Sequence, residues 1–559
     1  MITRTLLISI LLMILIIPVR GQSSTDDKAL RDEVRKYGQA DVTIPYPGRQ
    51  AINLITRNVS ITAVRESKVY ISLSKLNVEW FIAQKLSYTL VPRTIIKEFF
   101  TATSLSQAMN WQSYPACSQY DSMMTEFAAD YPSICKLDTI GTSVDGRLIL
   151  VLKISSDLTS ETKPQVFYSS TIHGDEPPGF VLMLRLADYL LSNYTSDPRV
   201  ENLVDNLGIW INPLANPDGT YTSGNTITSP TRYNANGVDL NRNFPDPMQS
   251  YSPAKETIDM VSFMKKHHFV ISANFHSGDE VVNYPWDRWE RLHADDAWFN
   301  YISRGFADTV HVYAPAGYLD DLDNGVTNGY AWYSVYGGRQ DYMTYSRQGR
   351  EVTIELDYTK EPDPSQLENL WQYNYRSLLG YLENALYGIH GYVKDASTSA
   401  PVAAEVFIKG HDLDSSQVFS DSLTGAFTRL LMEGTWDLTF SAKGYRDITI
   451  SDVSVVNGES TNLTVKMERS DTLHPYIWPN PGSSIVKCVL PDKLAGTVEI
   501  KFIDRLGKII SNYTQQYQKS EEMEINVGGL PAGVYYIVIR NSDTGISTTS
   551  RIVVIGSYH

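Results

Sequence analysis

Between Trp111 and Tyr387 the chain alternates short apolar runs with long amphipathic stretches, and after Tyr387 that alternation stops. Gln165–Ile172, Ile209–Asn212 and Phe269–Phe275 read as buried strands, while Pro177–Leu191 and Thr257–His267 carry helical periodicity. Buried strands interleaved with helices bury both faces of a sheet, so an α/β architecture is expected here: a mixed, largely parallel sheet flanked by helices.

The flanks differ. Residues 22–108 combine a charged helical start with short strand-like runs such as Lys68–Leu73, which predicts a small α+β unit. From Gly391 to Glu468, short alternating strands (Ala404–Lys409, Thr435–Phe440, Thr464–Met467) are joined by Gly, Asp and Ser turns, as in a small β-sandwich over residues 389–468. A second all-β module at 475–559 follows Pro479-Asn-Pro-Gly482, with strands near Val498–Ile503 and Gly533–Ile539. Neither holds a cluster of His, Cys or paired carboxylates that looks catalytic.

Residues 1–21 have the layout of a secretory signal peptide: Arg4, the apolar run Leu6–Ile17, then small residues. No later stretch approaches the ~20 apolar residues of a membrane span, so no transmembrane segment is expected in the mature protein. The 48 Lys and Arg against 63 Asp and Glu give a net charge of −15, a field that repels phosphate backbones and argues against a nucleic-acid partner. With three cysteines there is no disulfide scaffold, although export would allow a Cys117–Cys135 bridge. Any metal must therefore be held by other side chains.

The segment with chemistry is Thr171-Ile-His-Gly-Asp-Glu-Pro-Pro-Gly179, where a buried strand meets a helix. His173 and Glu176, three residues apart, are placed to face one crevice outside the carboxyl end of the sheet, and imidazole with carboxylate suits zinc. A catalytic zinc needs a third protein ligand, and His276 ends another buried strand in Ser272-Ala-Asn-Phe-His276. Asn216-Pro-Asp-Gly219 and Arg232-Tyr-Asn-Ala-Asn-Gly-Val-Asp-Leu-Asn-Arg-Asn-Phe-Pro245 follow; the two arginines and the Asn make an anion-binding surface in an acidic chain. Glu355, closing the apolar strand Arg350-Glu-Val-Thr-Ile-Glu355, would have its pKa raised by desolvation towards general-base use.

The ordered set HGDE, NPDG, DLNRNFP, SANFHSG, NYPWD, WYSVYGGRQD and EVTIEL resembles the zinc metallocarboxypeptidase family, in particular its regulatory branch containing carboxypeptidases N, E and D. The resemblance implies a catalytic domain at 109–388 that binds one Zn²⁺ through His173, Glu176 and His276 and cuts C-terminal Lys or Arg from peptides and proteins. Two histidines and a glutamate are the set the general zinc rules give for carboxypeptidase A. By the same resemblance, Glu355 is the general base and Arg232 the oxyanion donor. Asn241 and Arg242 hold the terminal carboxylate, Tyr333 caps the bound residue, Asp287 and Gln340 floor the specificity pocket, and Asp239 orients a metal-bound His. The unit at 22–108 resembles a carboxypeptidase pro-domain and residues 389–468 a transthyretin-like module. The module at 475–559 resembles the sorting domain of the type IX secretion system, which implies that machinery as partner and export across both membranes of a Gram-negative bacterium. Two departures stand out: Asp175 where the regulatory branch usually has Asn, and Arg339-Gln-Asp-Tyr342 where relatives carry a Trp after the Asp. A metallo-amidase trimming cell-wall peptides would share the zinc site without needing Asp287. A catalytically dead, carboxypeptidase-shaped binding protein would lack a ligand or the base.

Overall fold

A computed structural model describes residues 24–65, 67–93, 101–247, 252–470, 475–519 and 521–555, so the expected signal segment lies outside the described residues. The chain divides into two compact units, one running to Leu386 with Asp414–Ser416, the other comprising Tyr387–Leu413 and the chain from Gln417 onward.

In the first unit, strands β1 (Ala40–Pro45), β2 (Ser60–Arg65), β3 (Lys68–Leu73) and β4 (Thr89–Val91) form an antiparallel sheet in the order β2-β3-β1-β4, with helices Ser24–Tyr37, Arg49–Ile55 and Val78–Ala83. Val42 and Ile44 alternate with outward residues along β1, and together with Ile61, Val69 and Ile71 they are buried. The register of β2 against β3 shifts between Ile61 and Ala63, so Thr62 is the extra residue of a β-bulge.

The remainder of this unit is built on an eight-stranded sheet of β5 (Cys135–Thr142), β6 (Leu148–Ile154), β7 (Gln165–Ser170), β8 (Gly208–Asn212), β9 (Phe269–His276), β10 (Asp279–Tyr284), β11 (Val326–Asn328) and β12 (Arg350–Asp357). Their order is β11-β10-β12-β9-β7-β8-β6-β5. The central strands β12, β9, β7 and β8 are parallel, β5 and β6 run against their neighbours, and β10 runs against β12 but parallel to β11. Every residue of β7, β8 and β10 is buried, as expected of strands covered on both faces. Helices Pro178–Asn193, Lys255–Lys266, Asp296–Tyr313 and Leu367–Glu383 turn their apolar faces inward.

The second unit is all β. Strands Gly388–Asp395, Ala426–Arg429 and Ser460–Met467 form one sheet and Glu405–Ile408, Val418–Phe419, Gly434–Ser441 and Ile448–Val455 another, around Ile389, Val406, Leu438, Phe440 and Val465. A further three-stranded and four-stranded sheet bury Val486, Ile500, Phe502 and Ile537. No helix among the described residues is long and apolar enough to cross a membrane.

The bridge that export would allow is not formed: Cys117, Cys135 and Cys488 are free thiols. Cys117 opens helix Cys117–Asp130 and Cys135 begins β5. Fourteen helical residues at 1.5 Å each carry the chain about 20 Å from Cys117 before it turns into β5. Burial pushes the Cys135 thiol up to about 12.

Candidate active site

The loop leaving β7 turns sharply at Thr171 (φ 55°), which swings His173 and Glu176 into the crevice beyond the sheet. This loop is held by the Asn-Pro-Asp-Gly turn. Asn216 donates from its backbone N–H to Thr171 O (3.1 Å), and its side-chain Nδ2 donates to Ile172 O (3.2 Å) and Arg232 O (3.3 Å). One amide thus ties the His173 loop to the Arg232 loop. Gly174 lies so close to the Gly219 backbone that any Cβ would collide with it, which explains the glycine on physical grounds.

His276 closes β9 and sits in register with Glu355 of β12, so two functional side chains come from adjacent parallel strands. His173 Nδ1 and His276 Nδ1 face each other at 3.0 Å, and Glu176 places Oε1 and Oε2 3.0 Å from His173 Nδ1 and Oε2 2.7 Å from His276 Nδ1. All three residues are buried. Ligand atoms around a tetrahedral zinc with bonds of about 2.0–2.1 Å lie roughly 3.3 Å apart, so this set fits the ion. Burial alone would raise the Glu176 carboxyl, but the two imidazoles hold it well below the usual range. Burial depresses His276 to about 4, which leaves it neutral at physiological pH. Behind His173, Asp239 Oδ1 lies 3.2 Å from Nε2, where an acceptor fixes ring orientation.

Arg232 is buried against this group, donating from Nε to Asp239 Oδ2 (2.8 Å) with Nη1 3.4 Å from Glu176 Oε1. Asn241 accepts from the Arg339 backbone N–H (2.9 Å). A cavity of about 30 Å³ brings together His173, Glu176, His276, Arg232, Asn241, Arg242, Tyr333, Asp287 and Glu355. Burial, then the charges of Glu176 and Asp279, push the Glu355 carboxyl well above its ordinary value. Gln340 is not among the cavity-lining residues; it lies behind, donating from Nε2 to Asp287 Oδ1 (3.0 Å). Asp287 is held in place through its backbone, because Asp341 accepts from the N–H groups of Asp287 and Arg288 (3.0 Å each).

Sequence reasoning missed several participants. Lys360 lines the cavity and donates to Asp175 Oδ2 (3.0 Å), so the departure at Asp175 is matched by a cation; a lone Lys five residues beyond Glu355 in an acidic run was the available signal. Thr62 of the bulge also lines the cavity. Ile61 O accepts from Arg242 Nη2 (3.0 Å) and Ser60 Oγ donates to Asp239 Oδ2 (2.6 Å). Gln39 donates to Asp175 Oδ2 (3.2 Å) and accepts from the Arg232 backbone N–H (2.7 Å). The N-terminal core continues into Val281, Trp332, Tyr333 and Val335. Nothing in the sequence marks Gln39, Ser60 or Thr62 as neighbours of the site.

Residues 120–377 match the zinc carboxypeptidase family, residues 388–468 the carboxypeptidase regulatory-like domain and residues 476–555 the secretion system C-terminal sorting domain. Carboxypeptidase E of Caenorhabditis elegans is 32% identical over 398 residues, covering 62% of this chain and 84% of the relative. The chain belongs to the zinc carboxypeptidase family. Human carboxypeptidase D is 35% identical over 367 residues, covering 62% of this chain; the match spans about a quarter (26%) of that relative's length. Among solved structures, thrombin activatable fibrinolysis inhibitor aligns with a TM-score of 0.50 at 17% identity, covering 62% of this chain and 98% of that one, a likeness of fold.

Proposed function

We propose that this chain is an exported zinc carboxypeptidase that removes C-terminal Lys and Arg from peptides and proteins. The observation that carries the reading is a single cavity lined by the two-His, one-Glu set, by Glu355 and by the buried Asp287 carboxylate. His173, Glu176 and His276 would hold a zinc ion, which when bound would supply a Lewis acid for the scissile carbonyl and for water. Glu355, its proton affinity raised by the cleft, takes a proton from the attacking water and returns it to the departing amine. Arg232 offers a guanidinium to the developing oxyanion, and Asn241 with Arg242 receives the substrate's terminal carboxylate. Tyr333 closes over the bound residue. Asp287 receives the basic side chain.

The N-terminal unit acts as a cover. The Ile61 carbonyl occupies a donor of Arg242 where the substrate carboxylate would bind, Thr62 fills the cavity wall, and the remaining space, about 30 Å³, suits a water rather than a Lys or Arg side chain. The leader at 1–21 and the module at 475–559 are addresses, the latter for type IX export to the cell surface or medium. Hippuryl-type substrates ending in Arg, Lys, Phe or Asp test the reading. Arg and Lys are cleaved in preference, and Asp287→Ala lowers those rates at least ~100-fold while Phe changes little; equal loss on both removes the pocket assignment.

A further inference from the structure

Between the Asn216–Gly219 turn and Arg232 runs a loop that the proposed reaction leaves unused, Thr222-Ser-Gly-Asn-Thr-Ile-Thr-Ser-Pro-Thr231, in which six of ten residues bear a hydroxyl. The loop is tied down. Thr222 Oγ1 donates to Thr228 O (2.7 Å), the Thr231 N–H to Gly219 O (2.7 Å) and the Cys117 N–H to Asn225 O (2.9 Å). It forms one wall of a cleft of about 600 Å³, and the N-terminal unit supplies another through Lys36, Tyr37 and Lys75. That volume falls among pockets that enclose small organic ligands. The cleft shares no residue with the cavity that holds His173 and Glu355.

No Leu, Ile, Val, Met, Phe or Trp lines it, so an apolar guest finds nothing to pack on. Its two acids are already served: Asp218 accepts from Arg147 Nη1 (2.6 Å), Ser143 Oγ (2.7 Å) and the Asp145 N–H (2.9 Å), and Asp145 lies 3.5 Å from the same guanidinium. Lys36 and Lys75, by contrast, have no carboxylate within 4 Å among the described residues. The Lys75 stem lies against Gly237, where a Cβ would stand 3.1 Å from its Cγ, and its ammonium spends one donor on Ala235 O (3.4 Å), so its position is set. The hydroxyls of Ser223 and Ser229 take no partner among the described residues. Lys36 Nζ (4.6 Å) and the Arg93 guanidinium (5.3 Å) both sit over the Tyr37 ring, which is thus held by cations rather than offered to a neutral sugar. In a chain of net charge −15, the unmatched charge of this cleft is positive.

We propose that the cleft binds an acidic saccharide, a short run of sugar units bearing carboxylate or sulfate groups. Lys36 and Lys75 pair with the anionic groups, and the Ser223 and Ser229 hydroxyls, each able to donate and accept, exchange hydrogen bonds with sugar hydroxyls. A bare inorganic anion would use the lysines and leave the hydroxyl wall and most of the volume idle. Because the walls come from the N-terminal unit and from the loop ahead of Arg232, one ligand spans both.

Isothermal titration calorimetry on the full chain tests this with a trisaccharide of galacturonic acid, its uncharged methyl ester, a sulfated disaccharide and sodium sulfate. At least one acidic saccharide is expected to saturate the wild type at one site per chain with Kd below about 1 mM, and more weakly at high salt. The ester and sodium sulfate should bind at least about tenfold more weakly. The double variant Lys36→Met, Lys75→Met keeps both stems, so it should melt at the wild-type midpoint yet lose at least about tenfold in affinity. Ser229→Ala, which leaves the charge untouched, should weaken the saccharide at least about threefold and sodium sulfate not at all. The proposal is overturned if neither acidic saccharide binds saturably, if the ester or sodium sulfate binds equally well, or if the affinity is unmoved in the double variant.

Discussion

Arg339 and Glu351 form an ion pair behind the metal-binding strand, with both side chains fully buried. Arg339 Nη2 donates to Glu351 Oε2 (3.1 Å) and Nη1 to Asn274 Oδ1 (3.1 Å), while Asn274 Nδ2 lies 2.7 Å from His276 Nε2. Burial lowers the Arg339 pKa and raises that of Glu351 despite their attraction, so desolvation exceeds the Coulombic gain on both sides. Arg339→Met keeps the volume but strands Glu351 with Ser272 Oγ (2.7 Å) as its remaining donor. Breaking a buried pair from one side costs about 3–5 kcal/mol, and at about 2–4 °C per kcal/mol the midpoint should fall by roughly 6–20 °C at pH 8. The loss depends on pH. A carboxyl whose folded pKa is raised binds more protons folded than unfolded, so its penalty is absent below the unfolded value, about 4.3, and grows as pH rises through the folded one. Differential scanning calorimetry at pH 5 and pH 8 should therefore show a smaller deficit at pH 5, and Glu351→Gln in the same background should recover much of the loss at pH 8. An equal deficit at both pH values, or no recovery, refutes the claim that a stranded charge is the cause.

His276→Ala should lose metal and activity together, and zinc at full occupancy in the purified variant, read by elemental analysis, would remove His276 from the ligand set. Glu355→Gln should keep its zinc and its affinity for product while turnover drops at least ~100-fold; near wild-type turnover would assign the proton transfer to another group. Deleting 475–559 should leave dipeptide hydrolysis intact and retain the protein in the cell envelope, and its appearance in the medium at normal yield would contradict the sorting role.

What was legible in the sequence had local causes. The sheet with its flanking helices followed from the change between apolar runs and helical periodicity, and His173, Glu176 and His276 could be grouped because strand ends of a parallel sheet open on one crevice. Glu355 entered as the last polar residue of an apolar strand. The contacts that escaped are between segments far apart in the chain. Gln39 reaches Asp175 and Arg232, and Ser60 reaches Asp239, through the docking of one small sheet on another domain, which no spacing encodes. Thr62 is aimed by a bulge whose position depends on the register of β2 against β3.

The apolar core that runs from the N-terminal sheet into Trp332, Tyr333 and Val335 also makes the two domains partners in assembly. Trp332 ends, and Tyr333 and Val335 follow, a single helical turn, Gly329–Trp332, too short to hold its shape alone. While the small domain is seated, this rim is packed from outside, much as a mould supports a thin casting. Were it to depart, as the proposed cover would, Trp332 and Val335 would border the opened cavity, and burying side chains of that kind is worth about 1.5–3 kcal/mol apiece. A peptide that lays its penultimate residues on this lip would recover part of that energy, so under the proposed function substrate and cover would compete for the same apolar surface. Small dipeptides, which cannot reach the rim, should be poor competitors of the cover, and longer peptides good ones.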